Sequence, residues 1–329
     1  MDLKTTTVIE QLNTPWVEKY RPKNLDSVIS HQSVIHILKK LVEKEQIPHL
    51  LLYGQSGTGK TSCVYAMCKE YYQNDLTMQY HILELNGSDD RGISTVREII
   101  KEFCSTSTAK TKIVILDEVD SMTFAAQFAL RRIIEQYTST TRFCLIGNYV
   151  SKIIPALQSR CLVFHLSPLS NDAHKQFLNT IVDAEGLKME PDTLETVLQI
   201  AKGDGRKSIN LLQSLHMAFA DKVITSELVY QLSGLPTESH MKQIVGLLNN
   251  QKMSFIQKKT QIKQIIDDNC LNFSDVINQL CRFVITRQTT IKRDFIPDIL
   301  AKLSELYLRN SLSHSPEIHI ANLVGVFTC

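Results

Sequence analysis

One segment limits the possible folds more than any other. A short apolar run, His49–Tyr53, leads straight into Gly54-Gln55-Ser56-Gly57-Thr58-Gly59-Lys60-Thr61 and then into a helical pattern, Thr61–Tyr72. The loop fits G-x-x-x-x-G-K-[ST] at every defined position. Its glycines let the backbone curl until its N–H groups face the oxygens of a phosphate chain. Lys60 can reach the β- and γ-phosphates, and the Thr61 hydroxyl can hold Mg²⁺. The helix that follows, with Ser62 in its first turn, adds the positive end of its dipole. The pattern predicts a nucleotide site built from Gly54 through Ser62.

A strand feeding a helix through such a loop needs further strands beside it. The chain supplies them at His81–Leu85, Ile113–Leu116, Phe143–Gly147 and Cys161–Leu166, with helical patterns at Ser94–Cys104 and Phe124–Tyr137 and a short turn at Ser151–Gln158 between them. Alternation of this kind predicts βαβ units and a parallel sheet covered on both faces. Ligands of such sheets sit beyond the carboxyl ends of the strands. The strand at Ile113–Leu116 ends in Asp117 and Glu118. Asp117 is suited to Mg²⁺, directly or through water, and Glu118 to orienting or deprotonating an attacking water. A solvated acidic turn extended by Asp120 is the plainer reading of the pair alone. Asn148 follows another strand end, where it is either a γ-phosphate or water ligand or an ordinary turn asparagine.

Beyond Pro168 the strand signals stop. Helical patterns run through Ser170–Leu178, Pro191–Lys202, Arg206–Ala220 and Ser226–Leu232. After a break at Gly234-Leu235-Pro236 they resume through Met241–Leu248, Ser254–Asp267, Ser274–Ile285, Ile296–Leu308 and His319–Phe327. The expected class is α/β followed by all-α, with boundaries giving segments 1–168, 169–235 and 236–329. At 329 residues, two or three domains are expected. Lys plus Arg number 36 against 34 Asp plus Glu, so any surface for nucleic acid has to be local. The eight cysteines are scattered without a C-x-x-C pair and read as small buried hydrophobes of a reducing compartment. No membrane-spanning run and no signal-peptide pattern is evident.

Two arginines stand out. Arg160, in Ser159-Arg160-Cys161, is either a finger for transferring phosphate or a surface arginine. Arg206, after Gly203-Asp204-Gly205, starts a helix at the end where the dipole disfavours a cation. That position suggests contact with nucleotide, although an exposed arginine is an ordinary alternative. Around 94–104, Val96, Ile99, Ile100 and Phe103 form an apolar face. Arg97 and Lys101 share another face, with Arg91 just before it. Such a stripe can track a phosphate backbone, or it can be a solvent face paired with Glu98 and Glu102. Lys152 and Ile153 are further candidates for DNA. Arg131 and Arg132 either couple neighbouring subunits to DNA or form a structural ion pair.

Together with Pro15-Trp16-Val17-Glu18-Lys19-Tyr20-Arg21-Pro22, Asn86-Gly87-Ser88-Asp89-Asp90-Arg91-Gly92-Ile93, Asp117-Glu118-Val119-Asp120, Ala129-Leu130-Arg131-Arg132, Ser159-Arg160-Cys161 and Gly203-Asp204-Gly205-Arg206-Lys207, these residues resemble the small subunits of replication factor C, the clamp loader of eukaryotes and archaea. The match is dense over roughly residues 14 to 212, and Gly87 stands where alanine is common. The resemblance implies an AAA+ module (1–168), a helical lid (169–235) and a helical collar (236–329) that joins five subunits. It implies ATP and Mg²⁺, and partners comprising four sister subunits, a ring-shaped sliding clamp and primer–template DNA, in the nucleus and without a membrane. Val17, Arg21, Val28 and Ile29 would line the adenine and ribose side, Asn148 and Arg206 would sense the phosphates, and Arg160 would act in trans on a neighbour's ATP. Phe124 would face the clamp. Two alternatives stay open: an assembly subunit that binds nucleotide but seldom hydrolyses it, and another AAA+ DNA translocase.

Overall fold

The computed structural model describes residues 14–73, 78–88, 93–106, 110–219, 222–250, 252–286, 296–313 and 315–327, without the side chains of 93–96. Contacts divide the chain into two compact units. One comprises Met1–Lys188 with Leu194–His216, and the other Met189–Thr193 with Met217–Cys329.

The first unit is built on five parallel strands: β1 (Leu50–Tyr53), β2 (Ile82–Asn86), β3 (Lys112–Asp117), β4 (Thr141–Gly147) and β5 (Leu162–His165). Their spatial order is β2-β3-β4-β1-β5. Side chains alternate faces along a strand, and here both faces are covered. Leu50 and Leu52 of β1, Ile113 and Ile115 of β3, and Cys144 and Ile146 of β4 enter one buried cluster. Leu51, Val114, Leu116, Phe143 and Leu145 enter the other. β1, β3 and β4 therefore each read as a near-continuous apolar run instead of an alternating one.

Helices lie before, between and after the strands: α1 (Trp16–Lys19), α2 (Gln32–Glu43), α3 (Lys60–Tyr71), α4 (Met78–His81), α5 (Ile93–Ser105), α6 (Phe124–Tyr137), α7 (Pro155–Gln158) and α8 (Asn171–Glu185). Further along lie α9 (Thr193–Ala201) and α10 (Gly205–Ala218). Helix α2 is not among the elements that the alternation predicts. Its first residue follows His31, whose left-handed backbone (φ 65°) places no side-chain cap on the helix. The usual Ser, Thr, Asp or Asn start signal is thus missing.

Lys112, at the start of β3, is buried. Its ammonium donates to the Phe103 carbonyl (2.5 Å) and to the Thr106 hydroxyl and carbonyl, closing the C-terminal end of α5. A cation is favoured there by the helix dipole. Burial nevertheless pushes its pKa down.

The second unit contains α11 (Ser226–Ser233), α12 (Glu238–Asn249), α13 (Phe255–Asp268), α14 (Phe273–Ile285), α15 (Ile296–Leu312) and α16 (Pro316–Val326). Its core joins Ile244 and Leu248 of α12, Ile262 of α13, Val276 and Leu280 of α14, Leu303 of α15 and Leu323 of α16. Thr237 and Ser254 each close a capping box, with His240 and Gln257 respectively. The buried Lys258 donates to the Leu248 carbonyl at the end of α12 (2.9 Å). No helix of the described residues is long and apolar enough to cross a membrane.

His49, just before β1, joins the sheet to α6. Its Nδ1 accepts from the Phe143 N–H (3.2 Å), so the proton sits on Nε2, 3.3 Å from the Thr138 hydroxyl. Burial lowers its pKa from 6.5 to about 4. The unfolded chain therefore binds the extra proton first. The stabilisation is complete above pH 6.5 and is lost as pH falls towards 4. Between pH 7 and 5 the loss is expected to be about 2 kcal/mol from this residue, read as a lower urea midpoint. His49→Asn, which keeps an acceptor but cannot titrate, is expected to show a smaller drop over the same interval.

Candidate functional site

Strand register assembles the site. Tyr53 of β1 pairs with Gly147 of β4. The residues that follow, Gly54 and Asn148, therefore emerge side by side. Leu116 of β3 pairs with Leu145, which brings out Asp117 on the next strand over. Three strand ends thus converge at one edge of the sheet, as expected for open parallel sheets.

The loop 54–61 has the backbone its glycines were expected to permit. Gly54, Gly57 and Gly59 have φ of 150°, 69° and 92°. Gly54 is fixed by the neighbouring strand: a Cβ there would lie 2.0 Å from the Leu166 carbonyl oxygen. Gly57 is fixed by the segment before α10: a Cβ would lie 1.8 Å from Asp204 Oδ1, and the Gly57 carbonyl accepts from the Gly205 N–H (3.1 Å). Thr58 is buried, its hydroxyl donating to the Gln55 carbonyl (3.0 Å), while Gln55 and Ser56 are exposed at the rim.

Lys60 is buried at the start of α3. Its ammonium donates to the carbonyls of Gly54 (2.8 Å) and Gln55 (2.7 Å) and to Asn148 Oδ1 (3.0 Å). Burial lowers its pKa, opposed by Asp117 and assisted by Arg206. Thr61 Oγ1 donates to Asp117 Oδ2 (2.8 Å), and Asp117 Oδ1 accepts from the Glu118 N–H (2.8 Å). A hydroxyl and a carboxylate so close are a hard-oxygen pair of the kind Mg²⁺ takes, and they fit that ion.

Glu118 adopts the left-handed conformation (φ 54°, ψ 39°), which is strained for any residue but glycine. Its backbone is held from several sides. Its carbonyl accepts from the Ser121 hydroxyl (2.7 Å) and N–H (2.9 Å), and the Gly87 N–H donates to the Asp117 carbonyl (2.7 Å). A Cβ on Gly87 would lie 2.7 Å from the Glu118 carbonyl oxygen. The absence of a side chain at Gly87 therefore lets the strained peptide pack against β2.

Val17, Arg21, Val28, Ile29, Asn148 and Arg206 line one cavity together with Ser56 through Ser62, Asp117 and Glu118. Sequence reasoning missed part of this wall: Tyr20, Ser30, Leu169, Ala173, His174, Phe177 and Ile209. A signal existed in the spacing, since Ala173 and Phe177 fall four apart on one face of α8. The N-terminal wall is anchored through side chains. The Trp16 N–H donates to Gln213 of α10 (3.0 Å), and Glu185 of α8 accepts from Tyr20 and Lys19 (2.5 Å each). His174, also buried, shares a 2.7 Å hydrogen bond with Ser208. The Ser208 hydroxyl donates to the Gly205 carbonyl (2.9 Å). Nε2 of His174 is therefore the donor, and α8 is tied to α10.

Gln127 of α6 was not singled out either. It is wholly buried, accepts from the Ile154 N–H (2.8 Å), and donates to the carbonyls of Met122 (3.2 Å) and Lys152 (3.0 Å). One amide thus joins the turn after Glu118 to the turn 150–152.

The DNA candidates fare differently. Arg97 is exposed and Lys101 half-buried on α5. Lys152 is exposed, with its ammonium 5.1 Å from the centre of the Tyr149 ring. Arg91 lies outside the described residues. Ile153 is corrected: its side chain is buried in the core, and its N–H already donates to the Val150 carbonyl (3.0 Å). It cannot offer DNA a side chain. Arg160 lies outside this cavity's lining, half-buried and held by Glu135 and the Ala156 carbonyl.

Known proteins resemble the chain in the same terms. Residues 50–169 match the model of the ATPase family associated with various cellular activities (AAA), and residues 8–86 that of the Rad17 P-loop domain. A probable replication factor C subunit 5 from Dictyostelium discoideum is 42% identical over 95% of this chain and 90% of its own length. The chain belongs to the replication factor C subunits, the AAA ATPases of the clamp loader. Human replication factor C subunit 5 is 39% identical over 96% of this chain and 92% of its own length. Among solved structures, a Thermotoga maritima RuvB aligns at a TM-score of 0.55 over 83% of this chain and 99% of that one, at 16% identity, a likeness of fold.

Gly57→Ala is expected to weaken ATP binding by about tenfold or more, because a left-handed backbone and a blocked Cβ position are both imposed on the loop. Titration with a fluorescent ATP analogue checks this. Unchanged affinity would mean that the contact between the loop and Asp204 is dispensable.

Proposed function

We propose that this replication factor C subunit binds Mg–ATP in the cavity beyond β1, β3 and β4, and that its hydrolysis drives the loading of a sliding clamp onto primer–template DNA. The observation that carries the reading is the convergence of Lys60, Thr61, Asp117 and Asn148 through direct hydrogen bonds. The loop N–H groups and Lys60 take the phosphates, with Gly54, Gln55, Ser56, Gly57, Thr58, Gly59 and Ser62 shaping the cradle. Asn148 and Arg206 contact the γ-phosphate end. Val17, Arg21, Val28 and Ile29 enclose the base and ribose. Thr61 and Asp117 hold Mg²⁺, which when bound offsets charge on the phosphate oxygens. Glu118 orients the attacking water and takes its proton.

Catalysis is completed in trans. Arg160 lies outside its own chain's cavity lining and serves the ATP of an adjacent subunit. On this reading residues 1–168 are the nucleotide-binding domain, 169–235 the lid and 236–329 the collar that joins four sister subunits. Arg97, Lys101 and Lys152, together with Arg91, meet the DNA backbone. Phe124 and Phe128, both more than half exposed on α6, meet the clamp. The setting is the nucleus.

ATP turnover is expected to be slow for the chain alone and to rise when sister subunits, clamp and primed DNA are added. Glu118→Gln is expected to retain ATP binding and to lower hydrolysis at this site by about 10²-fold or more. Arg160→Ala should leave this chain's own ATP affinity intact while slowing the assembled complex. Fast turnover by the isolated chain, indifferent to clamp and DNA, would point to a different AAA machine.

A further inference from the structure

We propose that Glu135 is the positioning residue for Arg160, holding its guanidinium ready for the neighbouring subunit's ATP. The proposal rests on the trans reading of Arg160 and adds the group that orients it.

The geometry is a three-charge cluster. Glu135, in the last turn of α6, forms ion pairs through one oxygen with both Arg160 and Arg131, the latter at 3.0 Å. Arg160 also donates from its other terminal nitrogen to the Ala156 carbonyl at 2.7 Å. Two anchors on different nitrogens fix the plane of the guanidinium. The remaining N–H groups of the fork are left for a phosphate.

The helix itself does not account for this cluster. A carboxylate near a helix C-terminus is disfavoured by the dipole. Arg131 precedes Glu135 by four residues, the weaker order for an ion pair on a helix. The contact with Arg160 supplies what helix energetics lack. Arg131 has its own part. Two cations around one anion leave a net positive charge, so Glu135 orients Arg160 without cancelling the field that a phosphate would meet. The two cations also hold the Glu135 carboxyl below its ordinary pKa, Arg131 most strongly.

A preorganised donor stabilises charge that develops in the transition state without having to reorganise. Loss of Glu135 should therefore lower kcat and leave ATP binding alone. The contacts are partly solvent-exposed, with side chains 31% (Arg160) and 41% (Glu135) accessible. The expected effect is about fivefold, the size of a well-formed exposed ion pair.

The test uses the assembled complex with clamp and primed DNA. Steady-state kcat and KM for ATP are measured for Glu135→Ala, Glu135→Gln, Arg160→Ala and the double variant Glu135→Ala/Arg160→Ala. The proposal expects Glu135→Ala to lower kcat about fivefold at unchanged KM, with an intermediate value for Glu135→Gln, which keeps an acceptor oxygen. The double variant should be no slower than Arg160→Ala alone. If Arg160→Ala is slow and neither Glu135 variant is, the positioning role is wrong and the finger stands. If Glu135→Ala slows the Arg160→Ala background by the same factor as it slows the wild type, Glu135 acts through something else and the proposal fails. If Arg160→Ala has no effect, the trans reading fails first and takes the proposal with it. Should Glu135→Ala assemble poorly, Glu135→Gln carries the same comparison.

Discussion

Everything at this site depends on the parallel pairing of β1 between β4 and β5. It sets Tyr53 against Gly147 and against His165, so the residues after them leave the sheet at one level. Gly54 then passes so close to the Leu166 carbonyl that no side chain fits. Asn148 reaches Lys60, and Asp117, one strand further, reaches Thr61. A slip of one residue in any of these ladders would reverse which side chains face each core and would pull the partners apart. The apolar residues on both faces of β1, β3 and β4 hold that register.

A second constraint joins this frame to the helices after β5. The Gly205 N–H and the Asp204 carboxylate lie against Gly57. His174 and Ser208 join the two helices that carry Phe177 and Arg206. The cavity wall away from the sheet is thus made from three stretches far apart in sequence: 17–30, 169–177 and 205–209. Each is tied to another by a specific polar contact, Trp16 to Gln213 and Tyr20 to Glu185 being the outermost.

The strands, the loop and the acid pair were legible in the sequence because each is a local signal: an apolar run, a glycine spacing, a strand end. Helix α6 was legible to the residue, from Phe124 to Tyr137, because Thr123 caps it through the Ala126 N–H. Ile153 was misread for the opposite reason. It follows the exposed Lys152 in a turn, and nothing local says that it packs beneath Gly147. Helix α2 lacked a cap signal. The partner of Arg160 could not be read at all, since Glu135 is twenty-five positions away and the two meet only when α6 and the segment after α7 pack together.

The contacts of Lys60 have a consequence for which anions the loop accepts. All three of its N–H donors are committed to Gly54, Gln55 and Asn148. A lone chloride or sulfate arriving at the loop has to compete with well-formed hydrogen bonds and brings only its own few contacts. On the proposed reading, a triphosphate would displace them while also engaging the loop amides and the walls of the cavity. On that reading the loop would be selective by cooperation: a small anion meets donors already committed, and only a ligand long enough to touch every part of the cavity at once repays their loss.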